Sequence, residues 1–245
     1  MLELYDGKLS RTVFRRESGS NARDLSGASN MNKQRRRISI IENERNYFLV
    51  DANFLANRHI NASHVSDKTE KERINCAKEW WKEIRKQLDR DQARVYVLDL
   101  CIAETFKVLA RKYYNDEKIF SNYSSYNHAK KSLAKDLTLS SNDAKKSVRE
   151  VKYHDIQTNR DIIISVDRFF EKSCKESKKI GKTGIVDLLI LSTAKYLTDF
   201  YGLPRNKLYI VTQDNPLYKL AKSYADLPMV FNPSMKSDSA KKVFI

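Results

Sequence analysis

Glycine and proline are scarce, at 6 and 4 of 245 residues. That argues against a collagen-like chain, which needs glycine at every third position, and against a sandwich or barrel of many short, tightly turned strands. Cysteine is scarcer still. Cys76, Cys101 and Cys174 are odd in number, form no C-x-x-C pair and have no histidine at zinc-finger spacing, so they read as free thiols in a reducing compartment. No stretch approaches the roughly 18 consecutive apolar residues of a membrane span. The opening "MLELYDGKLSRTVFRRESG" has neither the apolar core nor the cleavage signature of a signal peptide. These absences lead to the expectation of a cytoplasmic protein without a membrane partner. Negative charge is also in short supply: 31 acidic residues stand against 46 Lys and Arg, a net charge of +15. Such an excess favours a polyanionic partner, RNA or DNA, because neutralising phosphates releases counterions. A solvated surface with a basic tail would give the same count.

What is present is a chain of the size of one domain with appendages. Residues 1–44 are rich in Ser, Arg and Asn, include "KQRRR" at 33–37, and read as a flexible basic extension. From there to 232 the pattern alternates. "YFLVD" is apolar throughout, as in a parallel strand covered on both faces. A long amphipathic helix follows over "SDKTEKERINCAKEWWKEIRKQLDRDQ", with Trp80 and Trp81 on its apolar side. Strand "ARVYVLDL", helix "CIAETFKVLARKYY", helices "RDIIISVDRFFEKSCKES" and "TGIVDLLILSTAKYLTDFYG", strand "KLYIVTQD", helix "NPLYKLAKSY" and strand "LPMVFN" complete the series. Residues 116–155 break it with a Lys-, Ser- and Tyr-rich stretch that reads as an insert, and 233–245 read as a tail. Strands alternating with helices predict a helix-rich three-layer α/β/α fold around a central parallel sheet.

On that map the acids fall at telling places. Asp51 ends the first strand, Glu104 lies just after the second, Asp187 starts the most apolar helix, and Asp214 follows "LYIVT". Sites in open parallel sheets form beyond the carboxyl ends of strands, so the four can converge. Clustered carboxylates repel one another, and a hard divalent cation, Mg²⁺ or Mn²⁺, relieves the repulsion through oxygen ligands. Such a cation can activate water for phosphodiester hydrolysis without a histidine base, which suits a chain whose His59, His64, His128 and His154 fall in loop-like or insert regions. Each acid also has a plainer account. Asp51 and Asp214 would serve as helix N-caps, Glu104 as a surface ion-pair partner of Lys107 or Arg111, and Asp187 as a charge eased by its helix N-terminus. Asp99, nearer the strand end, competes with Glu104 for the second acidic role.

Taken in order, "FLVDANFLA", "VLDLCIAETFKVLAR", "GIVDLLILSTAKYL" and "YIVTQDNPLYKLA" resemble the acidic quartet of PIN domains over residues 46 to about 230. The resemblance implies a parallel sheet between helices and a metal-dependent ribonuclease. Asp51, Glu104, Asp187 and Asp214 would be catalytic, and Asp51, Asp187 and Asp214 would ligate Mg²⁺ or Mn²⁺. Asn53 and Thr212 would be polar helpers, Thr212 orienting Asp214 or a bound water. It also implies RNA as substrate. For toxin members of the family it implies an inhibiting antitoxin; a homodimer is a further expectation. The long gap between Glu104 and Asp187 and the extra N-terminal arm depart from compact toxin members.

"IGKTG" at 180–184 has the ending of a P-loop, but Glu176 stands where the loop needs glycine, so these glycines read as a turn before the Asp187 helix. The insert interleaves Tyr113, Tyr114, Phe120, Tyr123 and Tyr126 with Lys112, Lys118, Lys130 and Lys131, and Lys145, Lys146, Arg149 and Lys152 extend it. That mixture suits single-stranded nucleic acid, with Lys130, Lys131, Lys145, Lys146 and Arg149 on phosphates; aromatics packed on the core would read the same way. Two rival functions stand beside the nuclease. One is a non-catalytic nucleic-acid-binding module on the same fold. The other is a different phosphotransfer fold, disfavoured because Asn53 occupies the position where a haloacid-dehalogenase-like phosphatase needs a second acid.

Overall fold

The structure, a computed structural model, describes residues 45–115, 119–137 and 153–244. The basic arm at 1–44 and the Lys145, Lys146, Arg149 and Lys152 part of the insert lie outside the described residues. Five strands, β1 (Asn46–Val50), β2 (Ala93–Leu98), β3 (Tyr153–Ile156), β4 (Leu208–Val211) and β5 (Met229–Phe231), form one all-parallel sheet in the order β3-β2-β1-β4-β5. Helices enclose it in three layers. Those before β3 are α1 (Ala52–His59), α2 (Lys68–Asp89), α3 (Asp99–Tyr114) and α4 (Tyr123–Leu137). After it come α5 (Arg160–Ser165), α6 (Asp167–Lys175), α7 (Ser177–Ile180), α8 (Ile185–Asp199), α9 (Asn215–Lys222) and α10 (Ala240–Val243).

The apolar run of β1 puts it at the centre. Phe48, Leu49 and Val50 are fully buried, and Val50 pairs with Val97 on one side and Val211 on the other. The chain builds outward from β1 to β2 and β3, then crosses to the opposite side of β1 to lay down β4 and β5. The order of strands therefore reverses between β1 and β4, and the crevice at their carboxyl ends is the topological switch point where such sheets bind ligands.

Several expectations are corrected. β3 falls within the stretch assigned to an insert, because "YHDI" has too little apolar character to announce itself. It is an edge strand paired only with β2, so one side needs no apolar partner. Within the same stretch, α4 buries Tyr126, Ala129 and Leu133 against the main core, so this part of the insert is core structure. The helix expected over 160–177 is divided at Val166 and Glu176 into α5, α6 and α7. Residues 233–244 are not a loose tail: the Asp238 carboxylate accepts the Asn232 amide at 2.9 Å, the Trp80 indole N–H donates to the Asp238 carbonyl at 2.8 Å, and Phe244 packs edge-on to Trp80. Gly181 does shape the turn before α8. Its φ of 99° lies in the left-handed region, and an added Cβ would meet the Pro216 ring at 3.0 Å.

Trp80 is fully buried between α2, β5 and the C-terminal segment. Trp80→Ala removes both its packing and its hydrogen bond, and denaturant unfolding should show a loss of about 3–5 kcal/mol.

Candidate functional site

Each of the three aspartates is placed by a helix start. Asp51 follows β1 directly; its Oδ1 accepts the Phe54 amide at 2.6 Å and so caps α1, while its amide continues the sheet by donating to the Val211 carbonyl. Asp214 caps α9 by accepting the Leu217 amide at 2.8 Å. Asp187, third residue of α8, reaches back to accept the Gly184 amide at 2.8 Å, the half of a capping box that a glycine N-cap allows. The capping account thus holds for all three aspartates: a backbone amide at a helix start holds an oxygen of each, and Asp51 is further held by the Thr212 hydroxyl and the Gln213 backbone.

The acids act on one another. Asp51 is buried, and burial raises its pKa to about 7 despite the lowering hydrogen bonds from Thr212 and Phe54, with Asp214 raising it further. Asp187 is half-buried. Burial first, then the fields of Asp214, Asp51 and Glu104, raise it to about 7, opposed only by the Gly184 amide. Asp214 is raised by burial, with the Leu217 amide and Arg73 pulling the other way. The buried Cys101 thiol is pushed well up by burial and by the charges of Asp51, Glu104, Asp187 and Asp99. Four segments distant in sequence therefore bear on one another's charge, and no cation is among the largest influences on Asp51 or Asp187.

Between Glu104 and Asp99 the geometry discriminates. Asp99 accepts the Leu100 amide at 2.7 Å and both the amide and the hydroxyl of Thr158, so it ties the segment after β3 to the start of α3. Glu104 makes no ion pair or hydrogen bond among the described residues, with Lys107 and Arg111 or otherwise, and it bears on Asp187. Thr212 bonds to Asp214, as expected, and to Asp51 as well. Its hydroxyl donates to Asp51 Oδ2 and accepts the Asp214 amide at 2.8 Å, so it orients Asp51 and tethers the Asp214 turn to it. Asn53, half-buried in α1, lines a cleft together with Asp214.

Sequence reasoning missed the brace beneath the Asp214 turn. Buried Gln213 accepts the Asn57 side-chain amide at 2.7 Å and donates to the Arg73 carbonyl at 2.8 Å and the Ser234 hydroxyl at 2.9 Å. Arg73 in return donates to the Gln213 carbonyl at 2.8 Å. No local pattern could reveal bonds spanning so much chain. His59 is not in a loop: it sits buried at the end of α1 beside Ser132 and Asp136, and burial with Arg58 lowers its pKa to about 3, so it stays neutral. Lys130 lies over the Tyr126 ring at 5.5 Å and Lys131 is exposed, both on α4.

Three aspartates offer an all-oxygen donor set of the kind hard divalent cations prefer, though in Asp51 both oxygens already accept hydrogen bonds. As the side chains stand, no three His, Cys, Asp or Glu among the described residues converge closely enough to enclose an ion. The donor set still fits Mg²⁺ or Mn²⁺. Mg²⁺ retains several waters and commonly takes one or two carboxylates directly, the others acting through water. Compared with protein-family models, curated proteins and solved structures, the chain gives no match, so the PIN resemblance rests on the residues quoted for it.

A carboxyl group held near pKa 7 in the fold and near 3.8 in the unfolded chain keeps a proton on folding that the unfolded chain has released. This favours the fold below about pH 4 and is lost as pH rises through 7. The metal-free protein should therefore lose stability between pH 5 and pH 8. Asp51→Asn, which retains the cap, should flatten that loss and raise stability at pH 8 by roughly 1–3 kcal/mol in chemical unfolding.

Proposed function

We propose that the chain is a PIN-like metal-dependent endoribonuclease that hydrolyses RNA phosphodiester bonds, either a toxin of a toxin and antitoxin pair or an RNA-processing enzyme. The observation that supports it most is that Asp51 and Asp214 follow the two strands at the switch point and, with Glu104 and Asp187, bear on one another's charge, no cation being among the largest influences on Asp51 or Asp187. Arg73 offsets part of the charge of Asp214, and the repulsion that remains at Asp51 and Asp187 suits a cation that arrives from solution.

In this reading Asp51, Asp187 and Asp214 hold the Mg²⁺ or Mn²⁺, directly or through water, and Glu104 completes the negative corner. When bound, the cation would polarise the attacking water and neutralise charge on the phosphoryl oxygens. Thr212 fixes the orientation of the Asp51 carboxylate, and the Gln213 brace fixes the turn that carries Asp214. A basic surface would position the backbone without reading its sequence. A protein inhibitor would act by covering the acid corner.

One observation favours a second reading, a non-catalytic nucleic-acid-binding module: the acids do not close into a cage as they stand. Labelled single-stranded and structured RNAs incubated with Mg²⁺, Mn²⁺ or EDTA separate the two. The nuclease cleaves only with metal, and Asp187→Asn lowers its rate by about a hundredfold or more. Binding without cleavage of any substrate by the parent protein would favour the module. Protons on Asp51 and Asp187 compete with the cation, so the rate at fixed metal should fall as pH drops below about 7 and recover when metal is raised.

A further inference from the structure

Beside the acidic corner opens a cleft of about 440 Å³ lined by Asn53, Asp214, Arg73, Arg111, Lys112 and Asn115. Its charge is opposite to that of the corner. Buried Glu70 pairs with Arg73 at 3.1 Å and with Lys112, so one carboxylate offsets part of three cations and locks two of them in place. Arg111 is exposed and makes no ion pair among the described residues. Three residues further along α3, on the same side of the helix, Tyr114 is 66% exposed. Its ring is held edge-on by Tyr113 at 4.7 Å and Tyr126 at 5.8 Å, while Tyr113 and Tyr126 stack on each other. A supported aromatic ring with this much open surface adjoins an uncompensated guanidinium.

A phosphate backbone approaching four carboxylates is repelled unless cations flank the place where it must lie. The cleft supplies them. Resting on the nuclease reading, we propose that it seats a single-stranded RNA next to the bond to be cut, with Arg111 taking a phosphate and Tyr114 stacking a base. A guanidinium can hold two phosphate oxygens at once, and Arg111 is free to do so, whereas Arg73 and Lys112 are fixed and act mainly through their field. Stacking on Tyr114 requires an unpaired base, which selects single strands over duplex.

The test is fluorescence anisotropy of a labelled single-stranded oligoribonucleotide on the full chain, in EDTA and in an Asp187→Asn background, over a range of salt. Arg111→Ala should weaken binding about tenfold at low salt and make the salt dependence shallower by about 0.7 in log–log slope, the signature of one lost phosphate contact on a single strand. Tyr114→Ala should weaken binding about fivefold or more with the slope unchanged. Arg90→Ala, which removes the same charge from a cleft at the opposite end of the sheet, should change neither. Both tested side chains are exposed, and circular dichroism checks that the variants fold. The matching deoxy strand should bind similarly, since the contacts are to phosphate and base. The proposal is overturned if the parent does not bind, if a duplex binds more tightly than either single strand, or if Arg111→Ala and Tyr114→Ala bind as the parent does. The two readings fail separately. Cleavage with undiminished kcat/KM in Arg111→Ala, in the otherwise wild-type chain, sinks the cleft alone, and Arg111-dependent binding with no cleavage under any metal sinks the nuclease alone.

Discussion

A parallel strand hydrogen-bonded on both sides cannot shift without breaking two ladders, and that is the position of β1 between β2 and β4. The constraint passes to Asp51, whose own amide extends the ladder to the Val211 carbonyl. On the far side of the seam the Thr212 amide donates to the Phe231 carbonyl, so the residue that grips the Asp51 carboxylate is itself fixed to β5. Asp51 and Thr212 thus inherit their positions from sheet backbone, the least deformable part of the molecule. Burial raises the pKa values of Asp51 and Asp187, and the repulsion between these acids adds to it.

The helix caps explain how the chain tolerates such a corner. A carboxylate buried with no donor would be prohibitively costly, and here each aspartate keeps an amide from the first turn of a helix, where the local dipole also favours negative charge.

How much of this could be read in the sequence depended on whether the cause was local. The central strands are apolar along their whole length, so β1, β2, β4 and β5 could be read directly, and the acids following them could be placed at their ends. β3 was hidden because an edge strand needs apolar residues on fewer sides, and the break at Val166 because its backbone stays near helical values. Asp187 was legible as a charge among Ile185, Val186 and Leu188. Ile185 itself is 54% exposed, because the first turn of α8 opens onto the corner rather than into the core. The bond from Thr212 to Asp51 and the brace from Gln213 to Arg73 span 161 and 140 residues, and no pattern within a window of sequence encodes them.

The strand order also governs time. β1 is made before β2 and β3, but its second neighbour, β4, is translated only after α8, so one edge of the central strand stays unpaired while most of the domain emerges. Long-range parallel pairing of this kind is slow to form, and an apolar unpaired edge invites association with other chains until it is filled. The acid corner is divided in the same way, with Asp51 and Glu104 synthesised early and Asp187 and Asp214 late. A nascent chain therefore cannot assemble the full corner until residue 214 has left the ribosome and β4 has docked. For a protein that cuts RNA this would be a built-in delay, separating the place where the enzyme is made from the moment it becomes able to act.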